Sequence, residues 1–571
     1  MKIFKSISIG FLTATLLLSC GSSKTASTNT TANDAATKAT EELLIVTATD
    51  SVVPRKAEMT REEIYAWPHM DIFTDSVPGM SLEKAYKFLE GKPHKKIIVG
   101  VIDSGVDIEH EDLNDVIWVN EDEIPDNGID DDNNGYIDDV HGWNFLGGEK
   151  GTSNPEQLEM TRMVKRWQPK FEGKTIAEIA PKDTTNYNLY LKLKQKVKEK
   201  SENAMDQKAK YTALKNMIIK ANDTVKKVLG NKEMNVDNLN ALKFDDPALM
   251  QGKMIMMQII GHGETIEKAY EDLDGAVNHY KNQAESQYKI DFDGRVAGDD
   301  PYDITDIGYG NSYVIGSKDD ESHGTHVSGI IAAERNNGIG MNGVTNNLEI
   351  MAVRAVPDGD EYDKDVALAI RYAADNGAKV VNMSFGKSYS PNAEWVYDAI
   401  KYAEEKDVLL VHAAGNDGAN IDVDENYPND SKDKINEFAD NVITVGAMSR
   451  NFDENLLASF SNYGKINVDV FAPGLEIYST YPKNEYEISQ GTSMAAPQVA
   501  GVAALVRSYY PQLTAAQVKK IIMDSGIVYN KTVILPGSDS EKTDFSTLSV
   551  SGRILNAYNA VKLAEKMVNK R

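Results

Sequence analysis

A single cysteine, Cys20, is present among 571 residues. That excludes an intramolecular disulfide and leaves the fold to its apolar core and to any bound metal. Basic residues are scarce: 61 Lys and Arg stand against 87 Asp and Glu, a formal charge of -26. A surface of that sign repels phosphate at long range, which disfavours nucleic acid and anionic membrane faces as partners, so that no nucleic-acid partner is expected, and favours solubility and cation binding. Long apolar runs are lacking too. The stretch from Ile7 to Leu18 is too short to span a bilayer as a mature helix, and no other run is long enough. There is no internal repeat and no Gly-x-Ser-x-Gly elbow.

The first segments are organised around the lone cysteine. A basic start, Met1 to Lys5, leads through the apolar stretch to Leu17-Leu18-Ser19-Cys20, which resembles the bacterial lipoprotein signal. The resemblance implies removal of residues 1–19 and acylation of Cys20. A lipid anchor in the bacterial cell envelope is then expected, outer membrane, with the rest of the chain outside the cytoplasm. Residues 20–40 are mostly Ser, Thr, Ala and Asn, a composition that cannot repay the entropy of ordering and reads as a tether. Residues 41–92 hold a short amphipathic helix over Ser81 to Leu89 and no recognisable inhibitory prodomain.

Ile97 to Asp103 is a continuous apolar run of strand length, the pattern of a parallel strand buried on both faces. Similar runs recur at Leu348 to Val353, Val380 to Met383, Val408 to Val411, Val442 to Val445 and Val468 to Phe471. Two helical stripes alternate with them, Val366, Ile370 and Ala373, then Val396, Ile400 and Ala403. Strands alternating with helices predict an α/β fold, a doubly wound, mostly parallel sheet flanked by helices. The rhythm breaks over residues 151–290, where Tyr211, Leu214, Ile218, Ala221, Val225 and Val228 form one stripe of a helix. That interval is read as a helical insertion within a domain of residues 93–150 and 291–571.

Three segments carry chemistry. Ser493 lies in Gly491-Thr492-Ser493-Met494-Ala495-Ala496-Pro497, at the start of an apolar helical segment. Pro497 is tolerable there because the opening amides of a helix have no intrahelical partner. His323 opens another small-residue helix in His323-Gly324-Thr325-His326-Val327, with His326 assigned to packing or support. Asp103, at a strand end, supplies a carboxylate. A hydroxyl deprotonated by an imidazole that a carboxylate orients is the apparatus of acyl transfer by serine.

In the chain order Asp, His, Ser, these motifs resemble the active-site signatures of the subtilase family, an order shared with subtilisin. The resemblance implies a serine endopeptidase acting on protein or peptide substrates, with Ser493 as nucleophile, His323 as base and Asp103 orienting it; a monomer is expected. It also gives Asn416, in Ala413-Ala414-Gly415-Asn416-Asp417, the oxyanion-donor role. Ser384, Phe385 and Gly386 would form the wall that pairs with substrate backbone, and Ala413, Ala414 and Gly415 the far side of the P1 pocket. The competing reading is an inactive envelope scaffold or binding lipoprotein that kept the fold.

Metal chemistry is the second signal. Asp130, Asp132, Asn134, Tyr136 and Asp138 occupy positions 1, 3, 5, 7 and 9 of a calcium-loop pattern, with Gly135 at the turn. The twelfth-position Glu of an EF-hand is missing, His141 standing there, so a structural Ca2+ loop without EF-hand helices is predicted, Tyr136 contributing its carbonyl.

Overall fold

A computed structural model describes residues 52–243, 245–263 and 265–570. The signal, Cys20 and the tether lie outside the described residues. Two compact units are present, residues 163–292 and residues 52–162 together with 293–570.

The larger unit is built on a nine-stranded sheet. Its strands are β1 (Ile97–Asp103), β2 (Gly142–Asn144), β3 (Leu348–Arg354), β4 (Ala378–Met383), β5 (Leu409–Ala413), β6 (Val442–Met448), β7 (Val470–Pro473), β8 (Ile527–Val528) and β9 (Arg553–Ile554). They run in the order β8-β9-β7-β6-β5-β4-β1-β3-β2. Every neighbouring pair is parallel except β8 with β9. The apolar runs of the sequence thus become strands of this sheet, with ends shifted by up to three residues.

Helices in chain order are α1 (Leu82–Leu89), α2 (Thr184–Leu229), α3 (Pro247–Gly261), α4 (Ile266–Asn282), α5 (His323–Ala332), α6 (Asp363–Asp375), α7 (Ala393–Glu405), α8 (Thr492–Tyr509) and α9 (Ala557–Asn569). Alternation along each strand sends side chains to opposite faces, and the core divides accordingly. Val99, Val101, Ile350, Leu409 and Val411 pack with α5 and α8 on one face. Ile102, Met351, Val353, Val381 and Leu410 pack with α6 and α7 on the other. With a buried Val or Leu contributing about 1.5–3 kcal/mol, this two-sided burial fixes the strands and so the positions of their ends. β1 lies between β3 and β4 and ends at Asp103.

The segment before the sheet belongs to this unit. Trp67 is fully buried and donates through Nε1 to the Glu476 carbonyl. Ala557 N donates to the Met80 carbonyl at 2.8 Å, and Asn556 Nδ2 to Ser81 Oγ at 2.8 Å. α1 and α9 share one core through Leu82, Leu89, Ala560 and Val561.

The smaller unit is helical, with Ile218, Ala221 and Val225 of α2 packing on Met256 and Ile259 of α3 and Leu273 of α4. It begins at residue 163, not at 151 as the sequence suggested. Glu156, Glu159 and Arg162, which look like surface charges of an insertion, are each at most 2% exposed, Glu159 and Arg162 being paired inside the larger unit.

Candidate active site

Three elements bring the site together. β1 ends in Asp103, α5 begins at His323, and α8 carries Ser493 as its second residue. Gly324 allows α5 to press on the strand end: a Cβ there would lie 2.3 Å from the Gly105 carbonyl oxygen and 3.1 Å from Asp103 Cβ.

His323 Nδ1 lies 2.7 Å from Asp103 Oδ1. A carboxylate only accepts, so Nδ1 carries the proton and Nε2 is left with its lone pair. Asp103 is 1% exposed, and the same oxygen accepts the Ser104 N–H at 2.7 Å. The imidazole side chain is 40% exposed. Burial disfavours its protonation, but the Asp103 charge and hydrogen bond together outweigh that and hold His323 above its ordinary value. His326 is 1% exposed, with Nε2 3.1 Å from the Glu487 carbonyl; burial pushes it down to about 4. It is a neutral packing residue.

Ser493 Oγ donates to the Ser384 carbonyl at 3.1 Å. Ser384 Oγ in turn donates to the Ser493 carbonyl at 2.9 Å and accepts from Asn382 Nδ2. Asn416 Oδ1 accepts from Thr492 N at 2.9 Å and Thr492 Oγ1 at 3.1 Å. That bonding fixes the amide orientation and leaves Nδ2 available. A methyl built on Gly491 would lie 3.5 Å from both Asn416 Nδ2 and Ser493 N, so these two donors flank one point beside the nucleophile. Ser493 N is a first-turn amide with no intrahelical partner, and the helix N-terminus favours negative charge there.

The loop carrying Asn416 is held by a residue that the sequence reading did not single out. Asn462 is 2% exposed; its Oδ1 accepts from Asp417 N and Ala419 N, and its Nδ2 donates to the Ala414 carbonyl. Gly415, at φ 99°, leaves room for this amide: a Cβ would lie 2.4 Å from Asn462 Nδ2.

Ser493 opens onto a cavity of 280 Å3 that Phe385, Gly386, Ala413 and Gly415 also line. Ala414, placed in the same wall by resemblance, is fully buried, its N–H bound to the Val445 carbonyl. Two further buried groups support the triad. Arg354 at the end of β3 donates to the Ser104 carbonyl and to both carboxylate oxygens of Glu321.

In the acidic loop, ligand-type oxygens of Glu123, Asp130 and Asp132 lie within 4.8 Å of one another. Glu123, 5% exposed, was not in the sequence pattern, because it returns from an earlier turn. Asp138, outside that group, accepts from Asn127 N and Gly128 N. Asn134 Oδ1 is turned back to Tyr136 N at 2.8 Å, and Asn134 Nδ2 donates to Asp132 and Asp139. Three convergent carboxylates, one of them buried, are a donor set suited to a hard divalent cation.

Comparison with known proteins gives a consistent assignment. The model of the Subtilase family matches residues 94–552. Thermophilic serine proteinase of Bacillus sp. (strain AK1) is 43% identical over 220 residues, 38% of this chain and 48% of that protein. Subtilisin BL of Lederbergia lenta is 38% identical over 228 residues, 39% of this chain and 78% of its own length. Thermitase of Thermoactinomyces vulgaris is 42% identical over 187 residues, 33% of this chain and 61% of that protein. The chain spans about half the length of the first of these relatives.

Proposed function

The chain belongs to the subtilase family, and from that premise we propose that it is a serine endopeptidase, hydrolysing peptide bonds through an acyl-enzyme on Ser493. The observation that carries the reading is the 2.7 Å contact of Asp103 with His323 Nδ1, which leaves the Nε2 lone pair free to take a proton. Oγ leaves the Ser384 carbonyl, gives its proton to Nε2 and attacks the scissile carbonyl carbon. Asn416 Nδ2 and Ser493 N stabilise the oxyanion. The imidazolium then protonates the leaving amine, and water cleaves the ester by the same route.

Labelling of the purified protein with a fluorophosphonate tests this. Modification at Ser493, and loss of both labelling and hydrolysis in Ser493→Ala, is the expected result; hydrolysis by the variant within tenfold of wild type would refute it.

A calcium ion is proposed at Glu123, Asp130 and Asp132, where it would cancel repulsion among carboxylates and take no part in the chemistry. Acylation of Cys20 is proposed as the attachment to a bacterial envelope membrane. No helix among the described residues is long and apolar enough to cross one.

A further inference from the structure

The cavity at Ser493 has a buried carboxyl with an unpartnered oxygen in its wall. Glu361 lines it, is 2% exposed, and has Oε1 buried with no hydrogen-bond partner. A bare buried acceptor costs about 1–3 kcal/mol, more when charged, and so requires a reason.

The neighbouring cations do not supply it. Lys387 Nζ is 2.8 Å from Asp363 Oδ1 and 3.4 Å from Glu159 Oε2, and meets Glu361 only at its main-chain carbonyl, 2.7 Å away. Arg162 forks onto Glu159 Oε2 and otherwise bonds the carbonyls of Gln157, Asp360 and Glu361. Asp360 Oδ2 accepts the Glu159 N–H. Four carboxylates, of Glu159, Asp360, Glu361 and Asp363, therefore share two cations. Asp417 and Glu425 line the same cavity, and only Glu425 has a cation, Lys434 at 3.1 Å. An anionic group entering here would find Lys387 already bound; a cationic one would complete the cluster.

We propose that this cavity receives an arginine or lysine side chain of the substrate, from the acyl side of the scissile bond, with Glu361 as its buried counter-ion. The proposal rests on the reading of Ser493 as a peptidase nucleophile and names the substrate class of that site. The acyl side follows because Phe385 and Gly386 line the cavity together with Ala413 and Gly415, the residues assigned by resemblance to the P1 pocket. The Asn426 carboxamide, which also lines the cavity, lies 3.6 Å from a Cβ built on Gly415 and 3.7 Å from one on Gly386. It narrows the space between those two glycines and adds an acceptor for a guanidinium.

Burial holds the Glu361 carboxyl at about 7, against the attraction of Lys387 and Arg162 and with the repulsion of Asp360. The counter-ion is the deprotonated form, so the preference for a cationic side chain should grow from about pH 6 to about pH 8. A ratio of cationic to uncharged substrates divides out the titration of His323.

The test profiles the purified full chain on peptides varied over the residues preceding the cleaved bond. Arg or Lys at one of those positions should exceed Leu and Phe in kcat/KM by about tenfold or more, and Glu361→Gln should remove most of that ratio and its pH dependence. Hydrolysis with no cationic preference in wild type, or a preference unchanged in Glu361→Gln, overturns the proposal. A wild-type measurement needs no variant to fold: a peptide aldehyde carrying Arg at the position the profile selects should inhibit more tightly than one carrying Phe there, and the reverse order is equally fatal. Absence of all hydrolysis together with absence of fluorophosphonate labelling would overturn the nucleophile reading itself, and this inference with it.

Discussion

Arg354 and Glu321 form a two-pronged ion pair in the interior, Nη2 to Oε1 at 2.5 Å and Nε to Oε2 at 3.0 Å, with both side chains at most 1% exposed. Glu321 stands two residues before His323, and Arg354 Nε also reaches the carbonyl of Ser104, which follows Asp103. The pair ties the turn before α5 to the end of β1. Removing one partner strands the other's charge in the core, so Arg354→Met should destabilise the protein by about 3–5 kcal/mol. It should also lower kcat in the protein that remains folded, because His323 and Asp103 lose their common brace. Urea melts and kcat on one preparation check this; unchanged values of both would refute the brace.

Asn416→Ala should lower kcat by about 10²–10³ with a smaller effect on KM, the size established for the same kind of donor in subtilisin itself. Asn462→Ala should act in the same direction by releasing the loop, although Asn462 cannot touch the oxyanion from beneath Ala414 and Asp417. A kcat unchanged in Asn416→Ala would remove that residue from the oxyanion site.

Asp103, His323 and Ser493 were legible in the sequence because each sits where an apolar period starts or stops. Glu321 and Arg354 were not: they lie 33 residues apart, and a charge buried by pairing has the same letter as a charge in water. The same blindness moved the insertion boundary to 151, since Glu159 and Arg162 look solvated until their pairing is seen. Glu123 escaped because a loop pattern counts spacing along one turn, and this carboxylate enters from another. Glu361 had no signal at all; only its missing partner marks it.

The proposed hydrolysis should fall on acidification. His323 works as a base when neutral, and Asp103 holds it above the ordinary histidine value. The acid limb of kcat/KM on an uncharged peptide should therefore have its midpoint above about 6.5. A midpoint well below that would mean the Asp103 contact is broken in solution.

Calcium should stabilise without entering the reaction. An ion at 100 times its Kd adds about 2.7 kcal/mol to the native state, so a chelator should lower the melting temperature and shorten the active lifetime. Glu123→Gln and Asp132→Ala should each abolish the response to added calcium, whereas Asp138→Asn, which affects an amide cap, should retain it. Identical melting curves with chelator and with calcium would eliminate the ion.

Cys20→Ser should shift the protein from the membrane to the soluble fraction, since the residues after it offer no amphipathic surface to hold a bilayer. Fractionation of cells expressing each form checks this, and a variant still sedimenting with membranes would require another attachment.

The seam of Met80 and Ser81 with Asn556 and Ala557 has a mechanical consequence. A pull applied to the chain at Val52 meets the packing of Val52 and Met59 on the core, then Trp67, held at the Glu476 carbonyl, and then this seam. The load reaches α9 through one main-chain bond and one side-chain bond, and through Glu476 it reaches Ser479 and Thr480, whose hydroxyls hold the carbonyls of His326 and Thr325 in α5. Tension on the amino-terminal side is therefore delivered both to α9 and to the helix that begins at His323.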